Sequence, residues 1–134
     1  KYLYRDTVSF LQHMRKTYRI VILTYAMNTQ LQRKKIRGSG IVPLVDDVLI
    51  AQGGAGDETG KGEYARDYIL RVGDSGWEHV FVDDSSENIN EVKKVNPDVR
   101  CIRIDRTAQS EEKKDGLHAP DAVVQNLVEL EAVL

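Results

Sequence analysis

Cysteine is nearly missing from this chain, and the single Cys101 excludes an internal disulfide and any zinc site built on cysteine. Histidine is scarce too. His13, His79 and His118 lie far apart with no Glu or Cys at ligand spacing, which argues against a clustered metal site. No apolar run approaches the roughly 18 residues that span a bilayer, and nothing reads as a secretory leader. The expectation is a soluble, cytoplasmic protein with no membrane partner. Neither charge sign dominates. A net charge of -2 gives no global attraction to nucleic acid or acidic membrane, so binding has to come from a local site. An initiator Met is also missing. The opening Lys1-Tyr2-Leu3-Tyr4 reads as a piece that begins partway into a domain.

What is present suits one globular domain over residues 1–134, with 41% hydrophobic and 30% charged residues and enough length for a real core. Apolar runs of strand length alternate with helical patterns. Ile20 to Thr24, about Val48 to Ile50, Val80 to Asp83 and Val99 to Ile104 read as strands. Asp46-Asp47 interrupts the second run. Thr7 to Lys16 places Val8, Leu11 and either Met14 or Phe10 on one helical face, and Gly62 to Val72 does so with Ala65, Tyr68, Ile69 and Val72. Ser85 or Ser86 caps a helix that runs to Val95, where Asn96-Pro97 stops it. Residues 105–118 read as a polar connector, and residues 119–134 as a C-terminal helix opening at Pro120-Asp121. This alternation predicts a doubly wound α/β fold with a parallel sheet, whose ligands gather outside the strands' carboxyl ends.

The polar residues at those ends are the candidates. Asp83 and Asp84 follow Val80-Phe81-Val82 directly, and adjacent carboxylates at a strand mouth repel each other unless solvated or bound to a cation. Magnesium takes one or two such oxygens and completes its shell with water and phosphate. The plainer reading is a helix cap at an N-terminus that favours negative charge. Thr24 closes the first apolar run, where a hydroxyl and the next N–H groups can hold a phosphate oxygen; a Thr at a strand end is usually no more than that. Lys61 ends the glycine-rich stretch from Gly53 to Gly60. That stretch is not a phosphate-cradling P-loop, because Ala55 stands where its first glycine belongs and Gly62 where Ser or Thr would meet magnesium. It reads as a surface loop, with Lys61 still available to a phosphate. Cys101 alternates inward and reads as core. Arg33, Lys34, Lys35 and Arg37 read as a solvated helix face, or as a contact for a phosphorylated macromolecule.

The order of these pieces carries more than any one of them. A strand ending in Thr24, a Lys at a helix start, then a strand ending in Asp-Asp resembles the haloacid dehalogenase superfamily. Ile20-Val21-Ile22-Leu23-Thr24 is similar to its second motif, Lys61-Gly62-Glu63-Tyr64 to its third, and the segment from Val80 to Ile89 to its fourth in the Asp-Asp variant. The resemblance covers about residues 2–105. It implies a magnesium-dependent phosphatase in which a nucleophilic aspartate takes the phosphoryl group. Thr24, Tyr25 and Lys61 would hold that group, Thr24 and Lys61 would serve catalysis, and Asp83 and Asp84 would hold the metal with Asn88 in support.

The family's first motif, a strand ending Asp-x-Asp, has no counterpart in the sequence, and Asp6 is no substitute, having no partner at Tyr4 or Val8. The expectation is that a central strand and the nucleophile lie outside these residues, and that a partner segment completes the sheet. Otherwise the chain is an inactive scaffold of the same fold. A receiver-like signalling domain expects its Asp pair after the first strand, so the order is wrong for it. Only 36 residues separate Thr24 from Lys61, too few for a lid beyond one helix and one strand. An open site would admit a macromolecular phosphate ester.

Overall fold

The four apolar runs do form strands: β1 (Val21–Ala26), β2 (Asp47–Gln52), β3 (Val80–Asp83) and β4 (Arg100–Ile104). All pair in parallel, as the alternation with helices requires. The computed structural model describes residues 5–52, 60–73, 76–105 and 118–134. The glycine-rich loop at 53–59 and the connector at 106–117 lie outside the described residues. The chain divides into two compact units, Lys1–Thr59 and Gly60–Leu134.

In the first unit, helix α1 (Arg5–Met14) buries Leu11 and Met14, two of the residues its pattern placed inward. A break then leads to β1. Asp46 explains why the second run does not start earlier. Its Oδ2 accepts from the Ile20 N–H at 2.7 Å and its Oδ1 from Arg15 at 3.3 Å, so it fastens the strand entrance instead of entering the ladder. Between the strands runs helix α2 (Thr29–Ser39). The Asn28 side chain caps it, and Gly40 ends it in the left-handed conformation, at φ 79°, which glycine adopts without strain. A short 3-10 turn (Val42–Leu44) precedes β2. One expectation needs correction. Thr24 does not close β1, because β2 also runs further, and the ladder continues through Tyr25 with Ala51 and Ala26 with Gln52.

The second unit holds helix α3 (Lys61–Val72), β3, helix α4 (Ser86–Val95), β4, a further strand β5 (Ala122–Val124) and helix α5 (Leu127–Val133). The strands form one parallel sheet in the order β3-β4-β5. Ile89, Val92, Val99 and Cys101 make its core, with Ile69 and Phe81 packed against them. Cys101 is the small core residue its alternation indicated, and burial pushes its thiol up to about 11. The expected helix over 119–134 is corrected: Ala122–Val124 form a strand and the helix begins at Leu127. Asp121 gives the reason. Its Oδ2 accepts from Lys93 Nζ at 2.7 Å and from the Cys101 N–H at 2.8 Å, while its own N–H donates to the Cys101 carbonyl at 2.8 Å. With the chain held beside β4, the ladder outcompetes the helical preference of Ala122–Val124. Helix α5 starts only after Asn126, whose side chain accepts from the Glu129 N–H. Among the described residues, no helix is long and apolar enough to cross a membrane.

Ile89 has no exposed surface and stands at the centre of the second unit's core. Truncation to Ala in Ile89→Ala should cost about 2–5 kcal/mol. Urea unfolding followed by circular dichroism measures it, and a loss under about 1 kcal/mol would contradict this core assignment.

Candidate functional site

The second unit brings a lysine from one helix start to an aspartate at one strand end. Lys61 is the first residue of α3 and is buried, at 7% exposure. A lysine there needs a partner. Its Nζ donates to Asp83 Oδ2 at 2.9 Å, across 22 residues of sequence. Both side chains are about nine-tenths buried, at 9% and 10% exposure.

Asp83 owes its aim to local turn chemistry. As the last residue of β3, it turns its carboxylate back onto the chain, and Oδ1 accepts from the Ser85 N–H at 2.9 Å. Ser85 then caps α4, its hydroxyl accepting from the Asn88 N–H at 3.3 Å. That first helical turn carries the Asn88 side chain back to Asp83 Oδ2, to which it donates at 3.3 Å. Three donors thus converge on one carboxylate. Asp83 thus organises the helix start, while the N-cap itself is Ser85.

The two adjacent carboxylates are driven apart in acidity. Burial pushes Asp83 up, but the Ser85 N–H and the bond and charge of Lys61 outweigh it, leaving its pKa lowered. Asp84 moves the other way, raised first by its hydrogen bond with Asp83, then by burial and by the Asp83 charge. Asp83 carries the negative charge and Asp84, exposed beside it, yields.

Among the described residues, no group of three or more His, Cys, Asp or Glu side chains is placed to hold a metal ion. The oxygens of Asp83 and Asp84 nevertheless fit a magnesium ion in kind and number, since that ion commonly takes one or two protein carboxylates. Asp83 Oδ1 accepts from the Ser85 N–H, and Oδ2 from Lys61 and Asn88.

Thr24 and Tyr25 lie in the first unit. Thr24 Oγ1 accepts from Gln32 Nε2 of α2 at 3.3 Å, and Tyr25 is 39% exposed. Sequence reasoning missed two features of the second unit. Arg103, the register partner of Asp83 on β4, faces Asp105 at 3.7 Å, with both side chains nearly buried. More consequential is Gly62. A Cβ there would collide with the Glu91 carbonyl oxygen and stand 2.9 Å from Val95 Cγ2. The backbone of α3 therefore runs against α4, and Asn96 Nδ2 donates to the Gly62 carbonyl at 2.9 Å to complete the seam. The sequence signal was the Gly60-Lys61-Gly62 spacing: small residues flanking a charged one where two backbones meet.

No family model matches the chain, and no curated protein does. Solved structures do. A dehalogenase with an intermediate complex is 19% identical with a TM-score of 0.76, over 99% of this chain and 57% of that one. The HAD-hydrolase YfnB from Bacillus subtilis bound to magnesium is 18% identical with a TM-score of 0.78, over 98% of this chain and 56% of that one. The L-2-haloacid dehalogenase from Xanthobacter autotrophicus, with chloropropionic acid covalently bound, is 14% identical with a TM-score of 0.69, over 97% and 60% respectively. This chain has the HAD-like hydrolase fold, and it spans less than two thirds of the length of these structures.

Two outcomes test the geometry. Gly62→Ala should destabilise the second unit by about 1–3 kcal/mol, because backbone is what the new methyl meets. A neutral result in urea unfolding would contradict the seam. Lys61→Met should raise the Asp83 pKa, visible as an upward move in its side-chain carboxyl NMR titration. The sign follows from linkage: Asp83's folded pKa is depressed, so its contribution to stability is present above the unfolded value and lost as pH falls through the folded one. With Lys61 replaced, that acid loss should begin at higher pH.

Proposed function

We propose that this chain is part of a magnesium-dependent phosphohydrolase that works through an aspartyl-phosphate, with the nucleophile outside these 134 residues. The observation that carries the reading is the buried Lys61–Asp83 pair with Asp84 beside it. The pair is a fixed cation next to acidic oxygens at a strand's carboxyl end, where α/β folds bind their ligands. Lys61 would lie between the carboxylates and the substrate's phosphoryl oxygens and offset charge that grows during transfer. The Ser85 N–H and Lys61 favour the ionised form of Asp83, and Asn88 helps to aim it. Thr24, with its hydroxyl proton, and the Tyr25 N–H would hold phosphoryl oxygens. Asp83 and Asp84 would hold magnesium, which supplies charge stabilisation to the transferring group.

The missing nucleophile has support of two kinds. No Asp-x-Asp pair occurs anywhere in the sequence. Among the described residues, β1 pairs only with β2, and β3 pairs only with β4, so neither ladder includes a strand from elsewhere. A segment that completes the sheet would supply the nucleophile and would cover the apolar edge of Val80-Phe81-Val82.

A second reading is hydrolytic dehalogenation, favoured by the dehalogenases among the solved structures of this fold. It uses the same logic: an aspartate displaces halide from carbon, and water then cleaves the ester. Turnover tells them apart. The chain as it stands should release no phosphate from p-nitrophenyl phosphate. Joined to its upstream coding segment it should do so with magnesium, stop with EDTA, and slow by about 10²-fold or more in Lys61→Ala or Asp83→Ala. Chloride release from 2-chloropropionate without magnesium would replace this reading with the second. No turnover of either substrate by the extended chain would leave a scaffold of the same fold.

A further inference from the structure

The net charge of -2 conceals a segregation. The first unit carries 9 basic and 5 acidic residues, net +4, whereas the second carries 10 and 16, net -6. From Thr7 to Val45 there are seven Lys or Arg and no Asp or Glu at all. Four of these cations, Arg33, Lys34, Lys35 and Arg37, stand on α2 and all are exposed. The inward positions are Thr29, Gln32, Ile36 and Ser39, each half-buried, so the helix has no fully buried residue.

A charge run of this kind is ordinarily a solvated helix face. Here the usual compensation is missing. Arg33 and Arg37 are four residues apart and Lys34 and Arg37 three, so the cations repel along one face, with no acid on the helix to relieve them. Among the described residues, none of the four takes part in an ion pair. The side-chain cap at Asn28 and the left-handed Gly40 hold the helix in spite of that repulsion. Gln32, on its inward face, donates to Thr24 Oγ1, the hydroxyl assigned to phosphoryl oxygens. A basic surface therefore adjoins a candidate phosphate contact.

We propose that α2 is the docking face for a single strand of nucleic acid, one of whose phosphates meets the adjoining Thr24 hydroxyl. The assignment of Thr24 to a phosphate rests on the phosphohydrolase reading; the docking face does not. Four cations within about 6 Å of helix axis suit a polymer with one charge per roughly 3.4 Å of strand. An acidic peptide would match the charge, but it offers nothing to the apolar surface alongside. Met27 is 82% exposed, Leu31 51% and Tyr25 39%, and unstacked bases have faces to lay on such groups. No side chain set for base reading accompanies them, so the binding is to backbone and does not select sequence.

The test is fluorescence anisotropy with a labelled oligothymidylate of about 12 nucleotides. Binding should weaken with salt at a log–log slope near -0.7 per contact, about 50-fold between about 50 and 200 mM for four contacts. Reversal in Arg33→Glu/Lys34→Glu/Arg37→Glu should abolish binding, while Lys94→Glu on the second unit should leave it unchanged. Should the triple reversal unfold by circular dichroism, Lys34→Gln/Arg37→Gln should lower the slope by about 1.4. No binding at about 50 mM salt, binding untouched by the α2 substitutions, or tighter binding of an acidic phosphopeptide would each overturn the proposal. None of these results bears on p-nitrophenyl phosphate turnover, so either reading can fail without the other.

Discussion

A lysine and an aspartate placed almost out of water set the terms for the second unit. Moving one such ion into a protein interior costs several kcal/mol, and the attraction between two of them recovers this only when the geometry is good and the remaining valences are met. Here they are met. The Asp83 carboxylate receives the Lys61 ammonium, the Ser85 N–H and the Asn88 amide, all from within a strand end and two helix starts. Stability alone does not call for this arrangement, since well-packed apolar side chains of similar volume commonly do as well. The charges are better understood through what they prepare: a cation that cannot leave and a carboxylate that stays ionised.

Most of the surrounding structure follows from bringing those two groups together. Lys61 reaches Asp83 because α3 begins hard against α4, and α3 can begin there because Gly62 has no side chain to hold the backbones apart. Asp83 stays in place because Ser85 and Asn88 continue directly from it into α4, whose Ile89 and Val92 are fully buried in the core. Local turn chemistry, helix packing and hydrophobic burial thus converge on one ion pair. Asp84 completes the picture by contrast. Beside an ionised neighbour, its pKa moves up while that of Asp83 moves down.

How much of this was legible depends on the range of the interaction. β3 is recovered at both ends, because a short β-branched run stopped by Asp-Asp has no helical interpretation. The Asn88 bond to Asp83 spans a single helical turn and so is local as well. Residues 119–134 misled for a physical reason. Val123, Val124, Leu127, Leu130 and Val133 satisfy helical spacing, and only contact with β4 through Asp121 turns the first of them into a strand. A local signal was present in Asn126 with Glu129 three residues on, the pattern of a helix that starts late. Thr24 shows the opposite error. The apolar run ends there, but the ladder runs to Ala26, since backbone pairing does not need apolar side chains to continue. Gly62 was read for the hydroxyl it lacks, when its meaning lay in a backbone 29 residues away at Glu91.

The ion pair also bears on the choice between a metal-dependent and a metal-free hydrolase on this fold. Lys61 already balances the charge of Asp83, so a divalent ion bound by both carboxylates would draw mainly on the charge of its neighbour. The unbalanced charge would belong to Asp84, whose raised pKa records that Asp83 is already ionised. A divalent ion shared by the two would favour the ionised form of Asp84, and metal binding of that kind is linked to proton release. A dehalogenase on the same scaffold gains nothing from ionising Asp84, because its substrate loses a halide and presents no phosphoryl oxygens. The adjacent carboxylates are therefore the feature that a metal-free mechanism leaves without a use.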